Sequence, residues 1–297
     1  MIGTRKFRTK QARIRERKRV AVRVVLLVVL MAVLVMGLLY ALTWEGFRVQ
    51  ELVVSTNGAL PVGEVTDLAM EHIRASSLLF VPRTSIFLLD IKGLHALLHD
   101  TYPRIESVQV RRTGVTAAVI QIRERVPEAL WCGDVVPPIA YARASTRAGS
   151  ADEAWGSCYL LDQNSFIYSR APVYTGSRYP RYYGSLEKAQ PIGQYFIEAD
   201  EFRRLQHLLE LLASSGVETT ALLLLDERDM ELYLSEGLRV IVARDHAPEV
   251  FLRRMTASLE ADVIDRSREV EYVDFRFGSK VFIKYRDTLD NNPPITQ

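Results

Sequence analysis

The chain has 297 residues, of which 48% are hydrophobic, enough to bury one large core or two smaller ones. The formal net charge of +2 hides an asymmetry, because residues 1–23 contain ten Lys or Arg and one acidic side chain, while the remainder is acidic overall. The excess of positive charge is therefore confined to one short tail, and a basic block of this kind can bind either nucleic acid or a membrane surface.

Residues 24–42 form an uncharged, strongly apolar run directly after the basic tail. A helix of this length covers about 28 Å, close to the hydrocarbon thickness of a bilayer. Tyr40 and Trp44 supply amphipathic rings for the far interface. The positive-inside rule places residues 1–23 in the cytoplasm and residue 45 onward outside. We therefore predict one transmembrane signal anchor over residues 24–44, in the plasma (inner) membrane.

Two alternatives remain open at this end of the chain. A cleaved signal peptide has a shorter apolar region, and residues 41–43 (ALT) match a small-x-small cleavage site only weakly. The basic tail suits anionic lipid headgroups beside the membrane, and nucleic-acid binding is the competing role. The length of the apolar run favours an uncleaved anchor. Because this run lies directly beside the basic tail, binding of the tail to lipid headgroups is favoured over binding to nucleic acid.

The first external segment combines strand and helix patterns. Its predicted elements are, in order, a strand over 47–55, helices over 62–73 and 90–99, and strands over 107–112 and 115–125. Asn57-Gly58 marks a turn after the first strand, and Asp90 is the predicted N-cap of the second helix. The predicted order is therefore strand, helix, helix, strand, strand.

The two cysteines, Cys132 and Cys158, both fall on the external side, where disulfides persist. Residues 133–157 between them are rich in Pro, Ala, Gly and Ser, which predicts an exposed, inserted loop. We predict that the cysteines are paired. Two free buried thiols are the alternative, since single cysteines are often buried.

Strand patterns dominate the second external segment, residues 126–286. The predicted strands are 129–132, 158–161, 166–168, 220–225, 230–234, 239–242, 271–275 and 280–285, and the predicted helices are 201–214 and 248–262. Residues 170–193 are predicted to be irregular, and residues 287–297 to be a disordered tail. This combination predicts an α+β fold in which a larger β-rich domain follows the first external unit.

Patterns that would support catalysis or metal binding are weak in this chain. His95 and His99 share a helix face, but Ala96 stands where a metalloprotease carries its general base, Glu. Ser185 and Lys188 match the Ser-x-x-Lys pattern of cell-wall transpeptidases, but its companion motifs are missing from the sequence. Phosphate-binding glycine loops are also missing. We predict neither an enzyme nor a cofactor site.

Four ordered motifs resemble the FtsQ/DivIB family of bacterial cell-division proteins, and together with the tail and membrane helix they cover most of the chain. They are FRVQELVVSTNG, the pair TYPRIESVQVRR and VIQIRERVPEALW, LLDQNSFIYSRAPV and YVDFRFGSKVFIKY. The third motif departs from the family pattern by carrying Ser165 where Gly is usual. The insertion over 133–157 and the two cysteines are further departures.

The resemblance implies a POTRA domain over residues 46–125 and a larger β-rich domain with helices packed on its sheet. It also implies a non-catalytic scaffold at the division septum, one that links septum assembly to peptidoglycan synthesis. The implied partners are FtsB- and FtsL-type proteins and other division proteins. In this family the last strand accepts a strand from FtsB, which implies partner-binding roles for Arg276, Phe277, Ser279, Phe282 and Tyr285.

The physics of an edge strand agrees with such a role, since main-chain groups bond an added strand while alternating side chains set specificity. Phe282 next to Ile283 makes both faces of the last strand apolar, which predicts burial on both sides. The alternatives are a structural ion pair for Arg276 and core packing for the three aromatic residues. The alternative functions are a POTRA-bearing protein of envelope assembly or secretion and a membrane-anchored cell-wall enzyme.

Overall fold

The structure is a computed structural model of the chain. It describes residues 10–42, 44–75, 77–78, 81–82, 85–138, 157–172, 178–260, 270–278 and 280–286. Residues 1–9 of the basic tail, 139–156 of the predicted loop, the predicted disordered tail over 287–297 and Ser279 lie outside these residues. The chain divides into two compact units, Met1–Glu124 and Arg125–Gln297.

The first element is a long helix, α1 (Lys10–Leu42). Its segment Lys18–Gly37 is long and apolar enough to cross a membrane, and none of it is buried against the rest of the protein. Leu26 is 65% exposed and Met36 is 73% exposed, so the protein itself does not cover these side chains. The helix is therefore consistent with single-pass anchoring in a bilayer, where lipid would cover them.

The remainder of the first unit is a small α+β fold. Its elements are β1 (Glu51–Thr56), α2 (Val62–Ala75), β2 (Ser77–Leu78), β3 (Val81–Pro82), α3 (Ile91–Thr101), β4 (Ile105–Thr113) and β5 (Ala117–Glu124). The sheet order is β1-β5-β4, in which β5 is parallel to β1 and antiparallel to β4. The short β2–β3 hairpin between the helices did not follow from the sequence, because two-residue strands show no periodicity.

Helices α2 and α3 each bury one apolar face. Val65, Ala69 and Ile73 recur every four residues on α2, and Leu94 and Leu98 do so on α3. They pack in one cluster with side chains of the sheet, except that Ile73 joins a neighbouring cluster. Full burial of each Leu, Ile or Val contributes roughly 1.5–3 kcal/mol, so these two stripes stabilise much of this small core.

Glu124 closes the first unit at the end of β5. Its carboxylate is buried and accepts hydrogen bonds from Thr56 Oγ1 at 2.7 Å and from the Leu60 backbone N–H at 2.9 Å. A Cβ atom at Gly58 would lie 2.3 Å from the carboxyl carbon of Glu124. The Asn57-Gly58 turn therefore needs glycine for space, because the buried carboxylate of Glu124 occupies the place of a side chain.

The second unit is built on one mixed sheet of ten described strands. The strands are β6 (Ala129–Trp131), β7 (Tyr159–Leu161), β8 (Phe166–Arg170), β9 (Arg181–Tyr183), β10 (Gln194–Tyr195), β11 (Thr219–Leu224), β12 (Asp229–Leu234), β13 (Arg239–Ala243), β14 (Val270–Asp274) and β15 (Phe282–Tyr285), with helices α4 (Ala199–Ser214) and α5 (Pro248–Glu260). Their spatial order is β10-β8-β7-β6-β9-β11-β12-β13-β14-β15.

Helices α4 and α5 cover one face of this sheet. Phe202 and Leu208 of α4 and Phe251 of α5 are buried in one cluster with Leu232 and Val273 of the strands. Leu130, Tyr183 and other residues of the strands form a separate buried cluster. Two clusters arise because successive side chains of a strand point to opposite faces of the sheet.

The prediction that residues 170–193 are irregular is wrong in one respect, because this segment contains β9. This strand pairs in parallel with β6 on one side and with β11 on the other. Pro180 and Gly184 flank its three residues, and a proline and a glycine so close together are typical of a loop. Tyr182 and Tyr183 are nevertheless fully buried. The strand forms because partners distant in the chain supply its hydrogen bonds, which a local pattern does not reveal.

Candidate functional site

The last strand of the sheet, β15, is positioned by β14. The two strands are antiparallel, and Asp274, Val273 and Tyr272 lie opposite Phe282, Ile283 and Lys284. In the order of the described strands β15 stands at one end of the sheet, and β10 stands at the other. Phe282 and Tyr285, two of the residues that the sequence singled out for partner binding, therefore lie on the strand at the boundary of the sheet.

The prediction that β15 is buried on both faces is wrong. Ile283 packs against the main core, but Phe282, on the opposite face, is 51% exposed. Lys284 is also exposed, and Tyr285 is half-buried. Two neighbouring apolar residues showed that both faces are apolar, but burial depends on what covers each face, and the described helices α4 and α5 both cover the same one.

Phe282 belongs to an exposed aromatic pair at the start of β15. Its ring lies 5.1 Å from that of Phe277, and the two rings are nearly perpendicular. Phe277 is 54% exposed, so both residues of the pair are about half exposed. The guanidinium carbon of Arg276 lies 5.5 Å from the centre of the Phe277 ring. Paired aromatic rings at a surface resemble the anchors that dominate many interfaces.

Arg276 holds the turn between β14 and β15. Its Nε donates to both carboxylate oxygens of Asp274, at 3.0 and 3.1 Å, and its Nη1 donates to Asp229 at the start of β12. Hydrogen bonds to Asp274 and then to Asp229 raise the pKa of Arg276 above its ordinary value. The structure thus contains the ion pair that the sequence left open as an alternative for this residue.

A chain of polar contacts crosses four strands and joins β15 to the sheet. Lys284 pairs with Glu271 at 3.0 Å, and Arg239 lies 3.6 Å from Glu271 and 3.3 Å from Glu231. The Tyr233 hydroxyl donates to Glu231 at 2.6 Å. This network was not predicted from the sequence. The sequence shows polar residues at alternate strand positions, but the register of the strands is needed to tell which of them pair.

A cleft of about 560 Å³ lies beside the start of β15. Gly278 and Val281 line it from the chain before β15, and Val250 and Arg254 line it from α5. Arg254 Nη1 lies 3.2 Å from Nε2 of His246, which also lines the cleft. The cleft is mostly apolar with polar groups at hand, a composition that suits a side chain of a bound segment.

Of the other predicted site residues, Ser279 is outside the described residues, and the two cysteines lie apart from this end of the sheet. A disulfide joins Cys132 and Cys158, whose Cα atoms are 4.1 Å apart, beside β6 and β7. Five strands (β9, β11, β12, β13 and β14) separate β6 from β15 in the sheet order. The disulfide therefore belongs to a different part of the second unit.

The residues considered for chemistry lie at two different places in the fold. The rings of His95 and His99 lie 4.4 Å apart on α3, and the described part of the chain has no group of three metal-ligating side chains. Ser185 and Lys188 are exposed between β9 and β10.

Comparison with known proteins adds no relative: no protein-family model matches the sequence, and no curated protein matches it significantly.

Proposed function

We propose that this protein is a non-catalytic, bitopic membrane scaffold of the bacterial cell-division complex and a member of the FtsQ/DivIB family. It binds FtsB- and FtsL-type partners outside the cytoplasm and links septum assembly to peptidoglycan synthesis. The observation that carries the proposal is the position of β15 at the end of the sheet, with the exposed pair Phe277 and Phe282 beside it.

The proposed mechanism is addition of a partner strand along β15. Main-chain hydrogen bonds supply affinity that is independent of side chains, and pockets for alternate side chains supply specificity. Phe282 and Phe277 offer an aromatic anchor on one face, and the cleft lined by Val281 and Arg254 accepts a side chain on the other. Arg276 contributes by holding the turn, since its guanidinium already bonds two carboxylates.

The first unit supports the proposal through its element order. Strand, helix, helix, strand, strand is the order of a POTRA domain, with the β2–β3 hairpin as an addition between the helices. The apolar helix α1 supports a place in the plasma membrane. With the basic tail in the cytoplasm, residue 45 onward lies outside, where it meets other division proteins at the septum.

The test is calorimetric binding of the full-length protein, in detergent, to the external segment of the small coiled-coil division protein from the same genome. Phe282→Ala and Phe277→Ala are expected to weaken binding at least tenfold, because aromatic side chains at interface centres often contribute about 2 kcal/mol or more. Tyr195→Ala is the matched control. Tyr195 is 59% exposed and forms a similar aromatic pair with Phe166, but it lies on β10 at the other end of the sheet.

Hydrogen exchange in the same complex tests the strand-addition mechanism separately. Amides of β15 are expected to exchange more slowly once a partner strand is bound, whereas docking through side chains alone would leave their rates unchanged. Absence of binding by the wild-type protein at high concentration would remove the division proposal. If Tyr195→Ala weakened partner binding as much as the two phenylalanine substitutions, the binding site would not be specific to β15.

A further inference from the structure

Three segments that are distant in the sequence meet at the start of β1. The backbone N–H of Ile86 donates to the Phe47 carbonyl at 2.8 Å, which joins the turn over 86–88 to the chain after α1. The Gln50 N–H donates to the Thr116 carbonyl at 2.9 Å, which joins the turn over 114–116 to the same place. Both turns therefore lie at the end of the first unit where the chain arrives from α1.

This end of the unit exposes apolar side chains. Trp44 is 62% exposed, Phe87 is 52% exposed and Val115 is 51% exposed. The ring of Phe47 lies 5.9 Å from that of Trp44 and 5.4 Å from that of Phe87, in edge-to-face contacts. We call the surface formed by Trp44, Phe47, Phe87 and Val115 the aromatic end of the first unit.

Basic side chains surround the aromatic end. Arg48 follows Phe47 directly, and Arg111 and Arg112 lie at the end of β4, opposite Val119 and Ala118 near the start of β5. All three arginines are exposed, and the acidic residues of the same segments, 44–51 and 111–116, are Glu45 and Glu51. These segments therefore carry one more positive than negative charge.

We propose that the aromatic end rests on the outer surface of the membrane, with Phe87 and Val115 at the lipid interface and Arg111 and Arg112 at lipid phosphates. Trp44 follows the last residue of α1 by two positions, and residues 44–48 lie within about 20 Å of that helix end by chain length alone. Aromatic rings favour the bilayer interface, and arginines favour anionic headgroups. The proposal requires α1 to span a bilayer and is independent of any division partner.

Position 87 is the informative one, because it is far from the membrane helix in sequence. The full-length protein is reconstituted in vesicles of phosphatidylcholine and phosphatidylglycerol whose acyl chains carry bromine near the headgroup. In a Trp44→Phe background, Phe87→Trp is expected to add emission that is blue-shifted and quenched by bromine. Trp131 and Trp155 are common to every variant and are subtracted as background.

Val62→Trp is the matched control. Val62 is 40% exposed in the same unit. It is the first residue of α2, which follows the end of β1 that is opposite to the aromatic end. Its added emission is expected to escape quenching. Val115→Trp is a second reporter on a different turn of the aromatic end, in case Phe87→Trp perturbs the fold, and it is expected to be quenched.

Charge reversal distinguishes binding of the arginines to lipid phosphates from membrane contact through apolar side chains alone. Arg111→Glu with Arg112→Glu is expected to reduce the quenching of the tryptophan at position 87 when phosphatidylglycerol is present, and to change it little in phosphatidylcholine alone. Quenching of Trp44 in the parent protein reports separately that α1 is inserted. The proposal is overturned if Trp44 is not quenched, if neither position 87 nor position 115 is quenched more than position 62, or if all three are quenched equally.

Discussion

Ser165 has a backbone conformation that glycine normally takes. Its φ angle is +64°. In the motif that resembles the FtsQ/DivIB pattern, this is the position where Gly is usual. The residue is fully buried, and its hydroxyl donates to the Ile197 carbonyl and accepts from the Ile197 N–H at 3.2 Å. Serine tolerates the strained backbone here because its buried side chain satisfies two main-chain groups of Ile197.

Two substitutions at Ser165 separate these effects. Ser165→Ala keeps the strain and leaves the Ile197 groups without their partner, so it is expected to lower the free energy of unfolding by about 1–3 kcal/mol. Ser165→Gly loses the same bonds but relieves the strain, so it is expected to cost less. Urea unfolding of the three proteins gives the order, and an alanine variant as stable as the glycine variant would show that strain contributes nothing.

Arg276 illustrates the limit of reading single residues. An arginine in a motif that resembles a partner-binding site is equally compatible with an interface and with an internal ion pair. Its contacts with Asp274 and Asp229 show the ion pair, and only the sheet order brings Asp229 close, because β12 and β14 flank β13.

At the scale of elements, β15 is attached to β14 partly through an ion pair. Lys284 donates to Glu271, and this hydrogen bond, with the nearby positive charges, lowers the pKa of Glu271 below its ordinary value. A carboxyl whose pKa is lower in the folded than in the unfolded state stabilises the fold above the unfolded pKa. That contribution is lost as the pH falls through the folded pKa.

Glu271→Gln is therefore expected to have a pH-dependent effect. At neutral pH the variant is expected to be slightly less stable than the wild type, because the exposed ion pair is lost. As the pH falls below the folded pKa of Glu271, the carboxyl becomes protonated in both the folded and the unfolded state, and the difference in stability is expected to vanish. Urea unfolding over a series of pH values from neutral into acid measures this difference, and a difference that persists at the acid end would assign the effect to packing.

At the scale of the whole molecule, the disulfide constrains one unit only. Cys132 and Cys158 both belong to the second unit, and the bridge closes the chain between β6 and β7. In the chain-entropy model a bridge across a loop of this length contributes roughly 3–4 kcal/mol by restricting the unfolded state. The first unit contains neither cysteine.

Reduction is therefore expected to destabilise the second unit selectively. Hydrogen exchange of the full-length protein should rise in β6, β7 and their neighbours, while rates in β1, β4 and β5 stay unchanged. Alkylation followed by mass measurement provides the control: the native protein should gain no adduct and the reduced protein two. Two adducts without reduction would show free thiols and remove the disulfide.

Much of the secondary structure was predictable, because the strongly periodic segments each bury one face. The apolar stripes of α2, α4 and the long strands, together with the Asp90 cap, are local patterns. The β2–β3 hairpin, β9 and β10 were not predicted, since strands of two or three residues show no period and form on partners far away in the chain.

The sequence by itself determined the apolar helix of membrane-spanning length, the α+β class and the amino acids at the last strand, because charge, length and hydrophobic period are local properties. Only the tertiary structure decided that β15 stands at the end of the sheet, that Phe282 is exposed and that Arg276 bonds Asp229. It also decided that Phe87 lies against Phe47. Exposure and pairing depend on strand order and register, which segments distant in the chain fix together.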